Sequence, residues 1–156
     1  MDPTALAELR TIMRGGRPTK PRRDEEFGLQ RFVIDSLRLF GMPGIVFFAV
    51  PNGGPRSKRS AARMKASGVL PGVADIVILA DGGPYSVPRP AAMFLQLKSA
   101  AGRLSPAQKA FRDSVGALGF SYVVSDSPED AINILLAWGV LKSDPLKRAG
   151  EGAGRV

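Results

Sequence analysis

The stretch that decides the fold is ADIVILADGGPYSVPRPAAMFLQLK, residues 74–98, in which two apolar runs flank a segment rich in glycine and proline. Short apolar runs bounded by turn residues are typical of buried β-strands. We therefore predict strands over residues 73–80 and 92–98. The segment between them is long enough to reverse the chain, so we expect the two strands to pair as an antiparallel hairpin.

Three polar residues lie at one end of this predicted hairpin. Asp75 opens the first apolar run, and Gln96 and Lys98 close the second. In an antiparallel pair the start of one strand lies about 5 Å from the end of the other. A carboxylate, an amide oxygen and an ammonium group placed together suit a hard divalent cation such as Mg²⁺ and a phosphate. The alternative is an Asp–Lys ion pair at a sheet end, which spacing alone favours.

The remaining patterns predict helices and strands in an order typical of the α/β class. Helical periodicity and end signals delimit the helices, and apolar runs mark two more strands. The predicted elements are helices over 24–41, 56–68, 105–119 and 127–138, and strands over 45–50 and 120–124. This order indicates a mixed β-sheet flanked by helices.

Composition indicates one globular domain with flexible ends. The chain has 156 residues, 44% of them hydrophobic, and a net charge of +8. We assign residues 1–23 to a flexible basic arm, 24–141 to the folded domain and 142–156 to a flexible tail. A compact basic domain attracts polyanions, most commonly nucleic acid, with a membrane surface as the weaker alternative. No apolar run approaches a membrane span, so we expect no membrane partner and a cytoplasmic location.

The chain lacks two residue types that several kinds of catalytic and metal site require. The chain has no histidine and no cysteine. Catalytic triads with histidine, zinc fingers and thiolate metal sites are therefore excluded. Any catalysis must use carboxylates, amides, lysines and oxygen-bound metals.

A basic segment follows the turn Pro51–Gly54. Three arginines recur on one side of the predicted helix that begins near residue 56, and a lysine follows them. Phosphate contact and a plain solvated face are equally consistent with this pattern. The candidate DNA-binding residues here are Asn52, Arg56, Arg59, Arg63 and Lys65.

Two further side chains have local explanations. Gln108 stands three residues after Ser105 in SPAQ, the capping-box position, so capping is its first expected duty and site contact its second. Tyr122 is predicted to be a packing or loop residue, because covalent tyrosine chemistry would need histidine-bearing surroundings that the chain lacks.

Several blocks in order resemble one family of nucleases. The spacing Asp75…Gln96-Leu97-Lys98 is similar to the PD-(D/E)XK nuclease motif. The flanking blocks EFGLQ, VPNGG, AARMKASGVLPGVAD, LQLKSAAGRLSPAQ and AWG resemble the VRR-NUC domain family over roughly residues 24–139. The concurrence of these blocks is far more specific than the short motif.

The resemblance implies a restriction-endonuclease-like fold and hydrolysis of DNA phosphodiesters with Mg²⁺ or Mn²⁺. It implies that Asp75 is the principal metal ligand, that Gln96 is the second, and that Leu97 contributes its backbone carbonyl. Lys98 takes the place of the catalytic lysine, and Glu26 that of an acidic residue on the first helix. Gln30 and Gln108 are expected to support the site. Such stand-alone members are small phage or bacterial enzymes that act on branched DNA and can form homodimers.

Three departures from the family pattern bear on activity. Ala74 stands where proline usually precedes the aspartate, and Ala49 where many relatives have histidine. Gln96 replaces glutamate, and an amide oxygen can ligate Mg²⁺ but brings no charge. Glu26 is the best available carboxylate to compensate. The alternative function is therefore a catalytically weakened nuclease fold that binds DNA without cutting it.

Overall fold

The computed structural model describes residues 22–52, 57–81 and 91–147. Most of the predicted basic arm and the hairpin loop over 82–90 lie outside the described residues. The helices are α1 Arg22–Phe40, α2 Lys58–Ala66, α3 Pro106–Ala117 and α4 Pro128–Ala137. The strands are β1 Val46–Ala49, β2 Ile76–Ala80, β3 Ala91–Leu97 and β4 Ser121–Ser125.

The sheet is mixed, in the order β1-β2-β3-β4. β1 and β2 pair antiparallel, β2 and β3 form the predicted antiparallel hairpin, and β4 runs parallel to β3. The α/β class with a mixed sheet flanked by helices is thus confirmed. The register pairs Ile76 with Leu95, which places Asp75 beside Gln96. β2 begins at Ile76, three residues later than predicted.

One face of the sheet carries the main core. Ile76, Ile78, Met93, Leu95 and Leu97 alternate along β2 and β3 and point to this face, because successive strand residues point to opposite sides. Helices α1 and α4 cover them with buried side chains that include Phe32, Val33, Leu37, Ile132 and Leu135. Burying large apolar side chains of this kind stabilises the fold by about 1.5–3 kcal/mol each.

Helix α3 covers the opposite face over β3 and β4. Phe111 of α3 packs edge-to-face on Phe94 with ring centroids 5.3 Å apart, and on Tyr122 at 6.1 Å. Val115 of the same helix is also buried in this second cluster. The side of the sheet that carries Asp75 and Gln96 is therefore the side that α3 closes.

Residues 142–147, which the predicted boundary assigns to the flexible tail, contact the body of the domain. The Lys142 N–H donates to the Phe40 carbonyl at 2.8 Å, and Leu146 packs against the main core. The packed region therefore reaches at least Leu146. In the described parts of the chain, no helix has both the length and the apolar character that crossing a bilayer requires.

Candidate active site

The open end of the β2–β3 hairpin holds Asp75 against the end of β3. One carboxylate oxygen, Oδ2, accepts hydrogen bonds from the backbone N–H of Leu97 at 2.9 Å and from the side-chain nitrogen of Gln96. The carbonyl of Asp75 accepts from the N–H of Val50 at 2.8 Å, which continues the pairing of β1 with β2. The predicted juxtaposition of Asp75 and Gln96 is present.

The environment of Asp75 raises the pKa of its carboxyl group above the usual value of 3.8. Desolvation by burial is the largest cause. The hydrogen bonds from Leu97 and Asn52 and the positive charge of Lys98 oppose it, and the negative charge of Glu26 adds to it. Because the charges of both Lys98 and Glu26 act on this carboxylate, the fold places Lys98 of the motif and Glu26, which the family resemblance added, near Asp75.

Gln96 is fully buried, with 0% of its surface exposed, and its amide is held at both ends. The nitrogen Nε2 donates to Asp75 Oδ2 and to the Leu97 carbonyl oxygen, the latter at 3.2 Å. The oxygen Oε1 accepts from the Tyr122 hydroxyl at 3.3 Å. Burial, with a further contribution from Asp75 that Arg112 opposes, raises the pKa of Tyr122 to about 12, so this hydroxyl is protonated at neutral pH.

Glu26 reaches the site from α1, which packs on the other face of the sheet. Its Oε1 accepts from the backbone N–H of Ser99 at 3.2 Å, just beyond β3. The Ser99 hydroxyl is buried and has no hydrogen-bond partner among the described residues. Ser99, Lys98 and Asp126 are among the residues that line a cavity of about 320 Å³.

Lys98 follows β3, and its backbone N–H donates to the Ser125 carbonyl at 2.9 Å. Its side chain is half-buried. A Cβ added at Gly102 would lie 3.1 Å from Lys98 Cβ and 3.2 Å from its Cδ, so the glycine leaves room for the lysine stem. The ion pairs between described residues involve Asp35 and Asp113 and not Lys98.

These donors fit a hard divalent cation in part. No group of three histidine, cysteine, aspartate or glutamate side chains that could hold a metal occurs within the described ranges. The candidate donors are instead the carboxylates of Asp75 and Glu26, the carbonyl of Leu97 and the amide of Gln96. Mg²⁺ commonly uses one or two carboxylates and keeps several waters, and Mn²⁺ takes the same kind of oxygen ligand. The set fits either ion when Gln96 presents its oxygen.

The segment before Asp75 is anchored by two neighbours. The Asn52 side-chain nitrogen donates to the carbonyl oxygens of Val73 and Ala74. Gly72 has φ +84°, and a Cβ there would lie 2.3 Å from the Ala107 carbonyl group at the start of α3. Only glycine allows this approach without strain. These contacts account for the late start of β2, because the residues before Asp75 are held by side-chain and loop contacts rather than by ladder pairing.

The two predicted supporting glutamines occupy different surroundings. Gln108 completes a capping box with Ser105, as predicted: its Oε1 accepts from the Ser105 N–H at 2.9 Å, and its N–H donates to the Ser105 hydroxyl at 3.2 Å. It also lines a groove of about 870 Å³ with Asn52 and Lys65. Gln30 is half-buried, one turn after Glu26 on α1. A role of either glutamine in the site stays a prediction.

Helix α2 presents its basic residues to solvent. None of its residues is buried, and its first turn contains no acidic residue. Arg59 and Arg63 line an open groove of about 480 Å³. Within the described ranges, the ion pairs do not include Arg59, Arg63 or Lys65. Arg56 lies outside the described residues.

Sequence reasoning assigned Tyr122 to packing and missed its contact with Gln96. The ring of Tyr122 packs on Phe111, as the packing assignment predicted. The hydrogen bond of its hydroxyl was not predicted. Strand alternation could have placed the side chain of Tyr122 on one face of β4. The parallel pairing of β4 with β3, which brings that face beside Gln96, has no local signal in the sequence.

Comparison with known proteins bears on the fold. The sequence matches no family model and no curated protein. The structure is similar to a solved structure described as a "VRR_NUC domain protein", with a TM-score of 0.52 and 21% sequence identity, over 71% of this chain and 84% of that chain. A likeness at this identity defines the fold. The chain therefore shares the fold of this VRR_NUC domain protein, which is the fold that its resemblance implied.

Proposed function

We propose that the protein is a DNA endonuclease that depends on Mg²⁺ or Mn²⁺ and hydrolyses phosphodiester bonds in branched or structured DNA. The observation that carries this proposal is the meeting of Asp75, Gln96 and Leu97 at one end of the β2–β3 hairpin, in a VRR-NUC fold. Lys98 and Glu26 are close enough to shift the pKa of Asp75 in opposite directions. Cutting branched DNA would suit a role in repair or recombination.

Each side chain has a distinct part in this mechanism. Asp75 and Glu26 would hold the cation with the Leu97 carbonyl and Gln96 Oε1. Lys98, which forms no direct ion pair with a carboxylate of the described residues, would bind the scissile phosphate and orient the attacking water or help to remove its proton. When bound, the cation would stabilise the negative charge that builds on the phosphate and favour ionisation of water.

The basic surface of α2 supports DNA as the substrate. Arg59, Arg63 and Lys65 are exposed, and the described carboxylates do not pair with them. Lysine and arginine that contact phosphates release counterions and so supply most of the sequence-independent affinity for DNA. Asn52 is a less simple candidate for DNA contact, because its side-chain nitrogen already donates to Val73 and Ala74.

A cleavage panel with matched variants tests the proposed activity. Duplex, flap, nicked and four-way-junction DNA are incubated with the protein and Mg²⁺, Mn²⁺ or EDTA. We expect cleavage that needs the metal and falls by at least roughly 100-fold in Lys98→Ala, the usual scale for a group that moves a proton. Asp75→Asn should also lose cleavage. Unchanged cleavage by a folded Lys98→Ala protein would rule out the assigned mechanism.

A second candidate function is a DNA-binding module with little or no cleavage. The observation that favours it is the Gln96 amide, whose nitrogen already satisfies Asp75 and the Leu97 carbonyl by hydrogen bonds. Calorimetric titration with Mg²⁺ and Mn²⁺ separates the two functions, because the module predicts salt-sensitive DNA binding with no metal binding. Cleavage that appears only in Gln96→Glu would favour the weakened enzyme.

A homodimer and a cytoplasmic, phage or bacterial setting remain part of the proposal. Two copies of one site would suit the cutting of two strands. Light scattering with and without DNA tests the dimer, and a monomer under both conditions would remove it.

A further inference from the structure

The side-chain amide of Gln96 bridges two oxygens that the proposed metal would use. Its nitrogen donates to Asp75 Oδ2 and to the Leu97 carbonyl oxygen, the latter at 3.2 Å. Both N–H groups of a primary amide are donors, so one nitrogen can satisfy both acceptors. The amide therefore holds together, by hydrogen bonds, the groups that a cation would hold by coordination.

The reverse orientation of this amide suits a different state of the site. With Oε1 turned toward Asp75 and Leu97, three acceptor oxygens would face one another and repel in the absence of a cation. The same three oxygens are the ligands that a hard divalent cation prefers. The observed orientation of Gln96 would therefore suit the site without a cation, and the reverse orientation would suit a bound cation.

The Tyr122 hydroxyl is suited to both orientations. It donates to Gln96 Oε1 at 3.3 Å, and after a turn of the amide its oxygen could accept from Nε2, because a phenol is both donor and acceptor. The ring is held in place by Phe111, with centroids 6.1 Å apart. Gln96 is fully buried, so water cannot replace this partner at low cost.

We propose that Gln96 closes the metal-free site through its nitrogen, that a divalent cation binds only when this amide turns, and that Tyr122 is a positioning residue that stabilises the turned amide. This inference rests on the proposed metal-dependent function. Without the Tyr122 hydroxyl, the buried acceptor Oε1 of Gln96 would be unpaired in the metal-free state. In the metal-bound state, the buried N–H groups of Gln96 Nε2 would be unpaired instead. Orphaned buried N–H groups are the rarer and less tolerated of the two.

A double-mutant cycle on metal affinity tests the role of Tyr122. Tyr122→Phe keeps the ring packing and deletes only the hydroxyl. We expect it to weaken Mg²⁺ binding, measured by calorimetry, roughly 5- to 10-fold, the scale of one hydrogen bond. In the Gln96→Glu protein, one carboxylate oxygen faces the cation in either orientation, and Tyr122 donates to the other carboxylate oxygen. Adding Tyr122→Phe to this protein should therefore leave its Mg²⁺ affinity unchanged. Equal effects in both backgrounds, or none in the wild type, would overturn the role of Tyr122.

Nuclear magnetic resonance of the Gln96 side-chain amide tests the turn itself. In the metal-free protein its two protons should exchange slowly with solvent, because both are bonded. Saturation with Mg²⁺ should shift both signals. Metal binding with unchanged Gln96 signals would overturn the turn and leave the proposed function standing, whereas a wild type that binds neither Mg²⁺ nor Mn²⁺ would overturn both.

Discussion

The side-chain nitrogen of Asn52 lies 3.2 Å from the carbonyl oxygen of Ala74, the residue before Asp75. The same nitrogen donates to the Val73 carbonyl, and Asn52 also lowers the pKa of Asp75 by hydrogen bonding. A residue after β1 thus holds the backbone that presents the principal carboxylate. Asn52 belongs to the VPNGG block, so this block helps to position Asp75, in addition to any contact that it makes with DNA.

Loss of this link should weaken metal binding more than DNA binding. We expect Asn52→Ala to reduce Mg²⁺ affinity and cleavage by roughly 5- to 10-fold, because the loss of a hydrogen bond costs about 1–1.5 kcal/mol. Calorimetry gives the metal affinity, and fluorescence anisotropy in EDTA gives the DNA affinity. Lys65→Ala is the matched control, with the opposite pattern expected. A loss of DNA affinity alone in Asn52→Ala would assign Asn52 to the DNA surface instead.

The raised pKa of Asp75 predicts a defined pH dependence. An acid whose folded pKa lies above its unfolded pKa stabilises the fold while it is protonated, and this contribution is lost as pH rises through the folded pKa. We therefore expect wild-type stability to fall relative to Asp75→Asn as pH rises from below 3.8 through the folded pKa of Asp75. Urea unfolding of both proteins across this range checks the sign. A difference that does not vary with pH would contradict it.

The same titration should control metal binding with the opposite slope. Protonated Asp75 cannot ligate a cation, so Mg²⁺ affinity should decrease as pH falls through the raised pKa. Calorimetry at a series of pH values measures this. An affinity that stays constant below the folded pKa of Asp75 would remove Asp75 from the ligand set.

The exposed arginines of α2 should contribute to the salt dependence of DNA binding. The double variant Arg59→Ala/Arg63→Ala should lower affinity for all DNA sequences and reduce the slope of log affinity against log salt by about 0.9 for each lost phosphate contact. Arg38→Ala is the control, because Arg38 is already paired with Asp35 at 3.1 Å. An unchanged slope in the double variant would indicate that this face of α2 is only solvated.

The contact of Gly72 with α3 should matter for stability. Gly72→Ala should destabilise the fold by about 1–3 kcal/mol or more, since the backbone has φ +84° and the new Cβ would clash with the Ala107 carbonyl group. Gly116→Ala, inside α3 with nothing within 4 Å of a new Cβ, should stabilise by about 0.5–1 kcal/mol. Urea denaturation measures both, and equal effects would contradict the proposed contact.

Much of the local structure follows from sequence rules that act over a few residues. The capping box of Ser105 and Gln108 is read from four consecutive residues and is present in the structure. The end of β2 was also predictable, whereas its start was not, because Asn52 and Gly72 are distant in sequence from one another and hold the chain before Ile76.

The sequence by itself determined that Asp75 would meet Gln96, because two apolar runs joined by a turn segment pair antiparallel and side chains alternate with a period of two. Only the tertiary structure decided which way the Gln96 amide faces and which residues hold it. Tyr122 contacts that amide because β4, which follows α3 in the chain, pairs in parallel with β3. Glu26 contacts Ser99 from α1, which packs on the other face of the sheet. Such contacts depend on how the helices pack on the two faces of the sheet. The pattern of residues within a single helix or strand does not specify that packing.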